Sequence, residues 1–265
     1  MTCDLRQMSW KRLVFWMLGL LVCVSLTWGG ILARPAIADT LSTVTNTDTV
    51  YTYRDHPSSD GIGKVYLGRE IAKVMGYEGA SWLERSGRER QEKPSAAITA
   101  LDLNPDSVVA DIGAGTGYFS TRIAPLVPRG RVLAVDLQPE MVDILNFMKE
   151  EYQLESLEPA LGYEIDPALP EHGVDVVLMV DVYHELAFPY EVMQNIVRSL
   201  KPEGRVVILE YRAENPLIMI KRLHKMSLSQ LSEEMKFVGL QLVSAPKILP
   251  QQHYAVFSLG AAQSS

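Results

Sequence analysis

The sequence predicts an α/β fold in which a mostly parallel sheet of seven strands has helices on both faces and ends in an antiparallel edge hairpin. From Ser107 onward, short apolar runs alternate with segments of helical period. These runs are rich in Val, Ile and Leu, as expected of strands that are covered on both faces. The last two runs are separated only by about ten residues with two prolines, which favours a hairpin.

Each element of this alternation has its own boundary signals. Pro139 opens one helix, and the stretch 201–204, Lys-Pro-Glu-Gly, ends another. The predicted strands are 108–112, 131–136, 159–165, 174–180, 205–210, 240–243 and 254–259, and the predicted helices are 118–126, 139–151, 190–200 and 229–238.

Two segments precede the alternation. Residues 39–60 are rich in Thr, Ser and Asp and are predicted to be a flexible linker. Residues 61–100 have apolar residues at helical spacing around Ile71 and Trp82, and they are predicted to form an N-terminal helical cap. The main domain is then expected to span 101–265.

The first 38 residues have the composition of an export signal. A basic start precedes an uncharged run of 21 residues, 13–33, and Ala36-Ile37-Ala38 is a small-x-small cleavage site. The run is also long enough to span a bilayer, so an uncleaved membrane anchor is the alternative. The protein is therefore expected to be exported or membrane-anchored, or cytoplasmic if the start codon is assigned too early.

Charge and cysteine content disfavour several classes of site. The chain carries 25 Lys and Arg against 32 Asp and Glu, a net charge of −7, which argues against nucleic-acid binding through phosphate contacts. Its 2 cysteines, Cys3 and Cys23, lie in the leader. This excludes a disulfide framework and a cysteine-based zinc site.

The sharpest motif is a glycine loop at a strand-to-helix junction, with Gly113, Gly115 and Gly117 following Asp111. Glycines there let the backbone turn tightly and let a ligand approach closely. A dinucleotide loop needs a third glycine where this chain has Tyr118, and the Gly-Lys-Ser/Thr of a triphosphate loop is absent. The spacing therefore favours a nucleoside ligand without phosphates.

A carboxylate is expected to hold the sugar of that nucleoside. Asp136 ends the second strand, where it can accept hydrogen bonds from both ribose hydroxyls. Leu137 and Met141 follow it and are expected to flank the base. The alternatives are a turn without a ligand for the loop and a helix-capping or surface acid for Asp136.

These motifs together resemble class I S-adenosylmethionine-dependent methyltransferases, over about residues 65–259. The resemblance implies a Rossmann-like sheet, S-adenosyl-L-methionine as cofactor, and methyl transfer by in-line displacement. Within that family the chain looks most like a bacterial branch with Asp181-Val-Tyr-His-Glu185 after the fourth strand. That branch resembles quinone-type and small-molecule methyltransferases, and the resemblance assigns no substrate. The matching segments are 82–85, 111–117, 136, 174–181, 181–185 and 200–204.

The resemblance implies further donor contacts. Asp111 is expected to orient the loop or to meet the donor's ammonium group, and Tyr118 belongs to the same donor-binding set. Asp166 is expected to bind the adenine amino group, with an ordinary turn before Pro167 as an equal alternative. Asp181 is expected to face the donor.

The stretch 181–185 also supplies the candidate catalytic residues. His184 is the best candidate for a general base if the acceptor is a hydroxyl or an acidic carbon, with a pocket-lining role as the alternative. Tyr183 is expected to meet the sulfonium or the acceptor by cation–π attraction, and Glu185 completes the set. A metal site built from Asp181, His184 and Glu185 lacks an evident further ligand, so no metal is predicted.

Three other segments carry weaker expectations. Glu210-Tyr211-Arg212 contacts the acceptor or closes a salt bridge over the pocket, with a surface ion pair as the alternative. His224 lines the acceptor side or lies in a solvated loop. Trp82 or Arg85 forms a lid over the donor, or simply packs.

The predicted function is methyl transfer from S-adenosylmethionine to a small-molecule, lipid or quinone-like acceptor. A non-catalytic nucleoside-binding protein of the same fold and a protein methyltransferase are the alternatives. The expected partners are the acceptor and, through residues 13–33, a membrane, but no nucleic acid.

Overall fold

The structure, a computed structural model, describes residues 50–260. The predicted leader, residues 1–38, and the linker as far as residue 49 lie outside the described residues. The helices are α1 (Ala80–Leu83), α2 (Arg88–Glu92), α3 (Pro94–Ala100), α4 (Ser120–Ile123), α5 (Pro139–Glu151), α6 (Pro189–Ser199) and α7 (Leu228–Phe237). The strands are β1 (Tyr51–Tyr53), β2 (Gly61–Tyr66), β3 (Arg69–Ala72), β4 (Val108–Ile112), β5 (Arg131–Asp136), β6 (Leu157–Leu161), β7 (Val174–Val180), β8 (Leu200–Tyr211), β9 (Leu240–Ser244) and β10 (Gln252–Leu259).

The central sheet has seven strands in the order β6-β5-β4-β7-β8-β10-β9. The first five of these are parallel to one another. β10 runs antiparallel to both β8 and β9. The predicted mostly parallel sheet with an antiparallel C-terminal hairpin at one edge is confirmed.

Helices cover both faces of this sheet, as predicted. α6 and α7 bury Met193 and Leu231 against one face, while α4 and α5 bury Ile123 and Leu145 against the other. Since each strand alternates its side chains between the two faces, a strand buried on both sides reads as a continuous apolar run.

The N-terminal part differs from the prediction. Strands β1, β2 and β3 form a separate antiparallel sheet in the segment that was predicted to be linker and helix. A two-residue turn joins β2 to β3, with φ of +44° at Leu67 and +86° at Gly68. The turn was not recognised because Leu-Gly is not the Asn-Gly signal typical of two-residue hairpin turns. The strand was not recognised because a short apolar run such as that at Ile71 fits a helix and a strand equally. The helical part of the predicted cap is limited to α1, α2 and α3.

Two further boundaries shift because of local backbone chemistry. The predicted helix 118–126 is helical only in α4 and continues as a 3₁₀ turn at Ala124–Leu126, where Pro125 lacks a backbone donor. The third strand of the main domain, β6, lies at 157–161 rather than at 159–165. Within residues 50–260, no helix combines the length and the apolar character that crossing a bilayer requires.

A buried ion pair attaches the small sheet to the main domain. The Arg69 guanidinium donates to both carboxylate oxygens of Glu234 on α7, at 2.7 and 2.8 Å. The Tyr183 hydroxyl donates to the same carboxylate at 2.9 Å, and Arg69 also donates to the backbone oxygen of His184 at 3.2 Å. The pair therefore fixes the position of the segment that follows β7.

Replacing Glu234 with Ala is expected to destabilise the fold by about 3–5 kcal/mol, because it leaves a buried guanidinium without its carboxylate. Urea unfolding at equilibrium measures the change. The matched control is Glu233→Ala, at an exposed position of the same helix. Equal stability of the two variants would show that the ion pair contributes nothing.

Candidate active site

A cavity of about 690 Å³ opens at the carboxyl ends of the parallel strands. Gly113 after β4, Asp136 at the end of β5 and Asp181 after β7 all line it. Ligands of open α/β sheets bind at this edge, and the volume is typical of a site for a small molecule.

The glycine loop shapes the floor of the cavity. Gly113 and Gly115 have φ of +68° and +55°, in the left-handed region that favours glycine. A Cβ on Gly113 would lie 2.3 Å from Val182 Cγ2, and one on Gly115 would lie 2.7 Å from Leu83 Cδ1. The backbone of the loop can therefore pack this closely against Val182 and Leu83 only because both positions lack a side chain.

Asp136 is anchored by backbone donors on both of its oxygens. Its Oδ2 accepts from the Gly115 amide at 2.8 Å, and its Oδ1 accepts from the Gln138 amide at 3.0 Å. Burial raises the pKa of this carboxyl, although the backbone donors oppose that shift. Each oxygen keeps one further lone pair for a ligand hydroxyl. Leu137 and Met141, the predicted neighbours of the base, line the same cavity.

Asp181 presents a buried carboxyl oxygen that is not satisfied. Its Oδ2 accepts from Gln252 Nε2 at 2.7 Å, while its Oδ1 is buried and has no hydrogen-bond partner among the described residues. Burial and the nearby carboxylates of Glu210 and Glu92 raise the pKa of Asp181 to about 8. A cationic part of a ligand at Oδ1 would satisfy this atom and would favour the ionised carboxylate by lowering its pKa.

Helices α1 and α2 close one side of the cavity. Trp82, Arg85 and Arg88 all line it, and Arg85 stacks on the Trp82 ring at 3.9 Å. Thr116 in the glycine loop donates to Glu84 at 2.6 Å. These contacts place the segment that was predicted as a lid over the glycine loop.

Comparison with known proteins identifies the family. A family model described as a methyltransferase domain matches residues 103–258, more than half of the chain. The chain belongs to the methyltransferase-domain family.

The individual relatives match a shorter part of the chain than the family model does. An uncharacterized methyltransferase of Mycobacterium tuberculosis is 36% identical over 124 residues, which cover 45% of this chain and 47% of that protein. A demethylmenaquinone methyltransferase of Deinococcus radiodurans is 27% identical over 125 residues, covering 47% of this chain and 51% of that protein. The chain thus spans about half the length of the curated relatives it matches.

Solved structures show the same fold. The crystal structure of a SAM-dependent methyltransferase from Aquifex aeolicus is 20% identical and has a TM-score of 0.66. The match covers 71% of this chain and 100% of that one.

In this methyltransferase-domain protein, the segment after β7 forms a cluster of imidazoles and carboxylates on the cavity wall. His184 Nδ1 lies 2.6 Å from Glu210 Oε2, and His184 Nε2 lies 3.0 Å from His224 Nδ1. Glu185 Oε1 lies 3.2 Å from His224 Nδ1. Glu210 is fully buried, so the surface ion pair expected of it is wrong. His224 lines the cavity.

The imidazoles and carboxylates of this cluster shift one another's pKa values. Burial lowers the pKa of His184, but the Glu210 and Glu185 carboxylates outweigh it and raise the pKa to about 10. Burial raises the pKa of Glu185, yet His184 and His224 bring it down to about 2. The carboxylates on both sides of His184 therefore favour a positive charge at this place, whether it is carried by a proton or by a bound cation.

Several predicted site residues lie away from the cavity that the described residues form. Tyr183 is fully buried against Glu234, so it does not face a sulfonium. Asp111 accepts from the Ser120 hydroxyl at 2.5 Å, and burial raises its pKa to about 6. Its position fits the expectation that it orients the loop.

Three more predicted residues, Tyr118, Gly117 and Asp166, contact other parts of the protein and do not line the cavity. Tyr118 stacks under the Arg88 and Arg122 guanidinium groups. Gly117, with φ of +83°, lets the loop pack on Leu145. Asp166 accepts from the Ala168 amide at 2.8 Å, which is the turn that was the alternative for this residue.

Three residues that no sequence signal marked also reach the site, two of them from the small sheet's connections and one from the connection after β5. Asp60, Met75 and Gln138 line the cavity, and Gln138 Nε2 donates to the Met75 carbonyl at 3.1 Å. No motif marks them, because only the packing of β3 on the main domain brings the first two to the cavity.

The raised pKa of Asp181 predicts a specific dependence of stability on pH. Its pKa is higher in the folded state than the unfolded value, so its contribution is present at about pH 4 and is lost as pH rises towards 8. Relative to Asp181→Asn, the wild type should lose up to about 1.4 kcal/mol of unfolding free energy per pH unit across that window.

Urea unfolding of both proteins at several pH values measures this difference. Asp143→Asn, an exposed position on α5, is the control and should follow the wild type at every pH. Parallel curves for wild type and Asp181→Asn would contradict the assigned protonation.

Proposed function

We propose that this chain transfers the methyl group of S-adenosylmethionine to a small-molecule acceptor with an apolar, quinone-like body. The single observation that carries the proposal is the convergence of the glycine loop, Asp136 and Asp181 on one cavity. The membership of the methyltransferase-domain family supports the reaction type.

The donor half of the cavity matches the chemistry of S-adenosylmethionine. Asp136 has a free lone pair on each oxygen for the two ribose hydroxyls, and Leu137 and Met141 offer apolar surface to adenine. The buried Oδ1 of Asp181 can accept from the ammonium group. Acidic groups around a sulfonium cation stabilise the donor by Coulomb attraction.

The acceptor half has apolar walls. They are formed by side chains from the connections after β3 and β7, from α6 and from the segment before α7: Val74, Met75, Leu186, Val192 and Ile220. Walls of this kind favour a small apolar acceptor over a polypeptide. The Deinococcus radiodurans relative is named for demethylmenaquinone, and the branch that the stretch 181–185 resembles is itself similar to quinone-type methyltransferases. Both likenesses support a quinone-like acceptor.

The reaction needs positioning rather than a covalent intermediate. The acceptor's lone pair forms a bond to the methyl carbon while the carbon–sulfur bond breaks, and its electron pair stays on sulfur. The sulfonium thereby becomes a neutral thioether. The protein's task is to hold the three atoms in line and to exclude water, which the enclosing helices α1 and α2 support.

Asp136→Ala is expected to weaken binding of S-adenosylmethionine about 10- to 100-fold, because it removes two hydrogen bonds from ribose to a charged acceptor. Isothermal titration calorimetry on the full-length chain measures the dissociation constant. Asp143→Ala, an exposed aspartate on the next helix, is the matched control and should leave it unchanged.

An equal dissociation constant for the two variants would remove Asp136 from the donor site. Binding of the donor with no methyl transfer to any member of a hydroquinone and phenol panel would favour the non-catalytic nucleoside-binding alternative.

A further inference from the structure

Three side chains on the cavity wall bring their ligand atoms into one small triangle. His184 Nε2 and His224 Nδ1 are 3.0 Å apart, His224 Nδ1 and Glu185 Oε1 are 3.2 Å apart, and Glu185 Oε1 and His184 Nε2 are 3.7 Å apart. His184 is 1% exposed and Glu185 is 9% exposed. Neither the methyl transfer proposed above nor the packing of the core requires this convergence.

The triangle has the size that a first-row metal ion requires. Ligand nitrogen and oxygen atoms lie about 2.0–2.2 Å from such an ion, so two ligands of a tetrahedral site are about 3.3 Å apart. The circle through the three atoms has a radius of about 1.9 Å, so a point near their plane lies about 2.0–2.1 Å from all of them, which is the distance an ion needs.

The outer contacts of the triangle are also those of a metal site. His184 holds its other ring nitrogen 2.6 Å from the buried Glu210 carboxylate. His224 Nε2 faces Asp60 Oδ2 at 3.3 Å, and neither atom makes a hydrogen bond among the described residues. Glu185 Oε2 accepts from the Met75 amide at 3.2 Å. Metal-bound histidines commonly place their second nitrogen against a carboxylate, which fixes the ring and strengthens the ligand.

A proton can satisfy only part of this arrangement. One proton between His184 Nε2 and His224 Nδ1 makes a single hydrogen bond, whereas an ion engages those two atoms and Glu185 Oε1 together. Two imidazoles with one carboxylate suit Zn²⁺ and neighbouring divalent ions better than Mg²⁺ or Ca²⁺, which prefer sites made of oxygen ligands.

We propose that His184, Glu185 and His224 bind one divalent transition-metal ion of the Zn²⁺ type at the acceptor side of the cavity. Three protein ligands leave at least one coordination position for a ligand from the cavity. The site takes an acceptor that binds the ion through oxygen, an assignment that rests on the proposed methyl transfer.

A bound ion would activate the acceptor, because His184 and His224 would serve as its ligands rather than as bases. An acceptor hydroxyl that coordinates a divalent cation loses its proton to solvent water at a lower pH than the free hydroxyl does. The resulting oxygen anion forms the bond to the methyl carbon, and the carbon–sulfur pair stays on sulfur. The products are a methyl ether and a neutral thioether.

The test is titration of the chelator-treated, full-length chain with Zn²⁺ by calorimetry. The wild type should bind one Zn²⁺ per chain, and His184→Ala and His224→Ala should each weaken it at least 100-fold. Glu210→Gln, which alters only the outer partner of His184, should weaken it about 10- to 100-fold. The control is His253→Ala, because His253 lies 3.0 Å from Glu214 and outside the cavity.

A second measurement uses the wild type alone, so it does not depend on whether the variants fold. Co²⁺ bound by the wild type should give a visible absorption band that acetohydroxamic acid, an oxygen-donor probe, shifts in the presence of S-adenosylmethionine. No Zn²⁺ binding by the wild type, or equal binding by the His224→Ala variant, would overturn the metal site.

The two proposals fail separately. A Co²⁺ band that acetohydroxamic acid leaves unshifted would overturn the acceptor position while the metal site stands. Zn²⁺ binding without S-adenosylmethionine binding would retain the metal and overturn the methyl-transfer function. S-adenosylmethionine binding without Zn²⁺ binding would overturn the metal site and retain the donor site.

Discussion

The site depends on how buried negative charge is neutralised at the carboxyl edge of the central sheet. A carboxylate that loses water without gaining a partner is costly, so each one here is either paired or held partly protonated. The partners differ from one strand to the next: a hydroxyl for Asp111, two backbone amides for Asp136, and imidazoles for Glu185 and Glu210. The buried Oδ1 of Asp181 keeps an acceptor position that no described residue fills. The cavity therefore favours cations at two places.

The two places suit two different kinds of cation. Near the glycine loop, the cavity offers Asp136 to the hydroxyls and Asp181 to the positive group of the proposed nucleoside donor. On the wall after β7, the compact triangle of nitrogen and oxygen atoms suits an ion. A sulfonium donor and a metal-bound oxygen acceptor would then approach each other across the cavity, each held by carboxylates that the fold has already buried and oriented.

The small N-terminal sheet is part of this electrostatic arrangement. Through Arg69 it satisfies Glu234 and the backbone oxygen of His184, and through the connection before β2 it brings Asp60 to His224. Glu84 then ties α1 to the loop through Thr116. The enclosing elements are therefore fastened by polar contacts at the site, so local opening of this sheet would loosen the ligand positions as well.

The main sheet, its hairpin and the glycine loop were predictable because their sequence signals are local. A strand buried on both faces must be apolar throughout, and a backbone with positive φ under a ligand selects glycine at 113 and 115. The acid at 136 follows from the same junction. The small sheet was not predictable, because its hairpin turn at Leu67-Gly68 and its short apolar run match no strong pattern.

Tertiary structure alone decided which side of the chain each residue of 181–185 faces. Tyr183 and His184 are adjacent, yet one ring is buried against Glu234 and the other lines the cavity. His224, which completes the triangle with His184 and Glu185, lies 40 residues beyond His184, and Glu210, which contacts His184, lies on another strand. Sequence spacing carries no information about contacts of this range, because they form only when separate strands and their connections pack on one edge of the sheet.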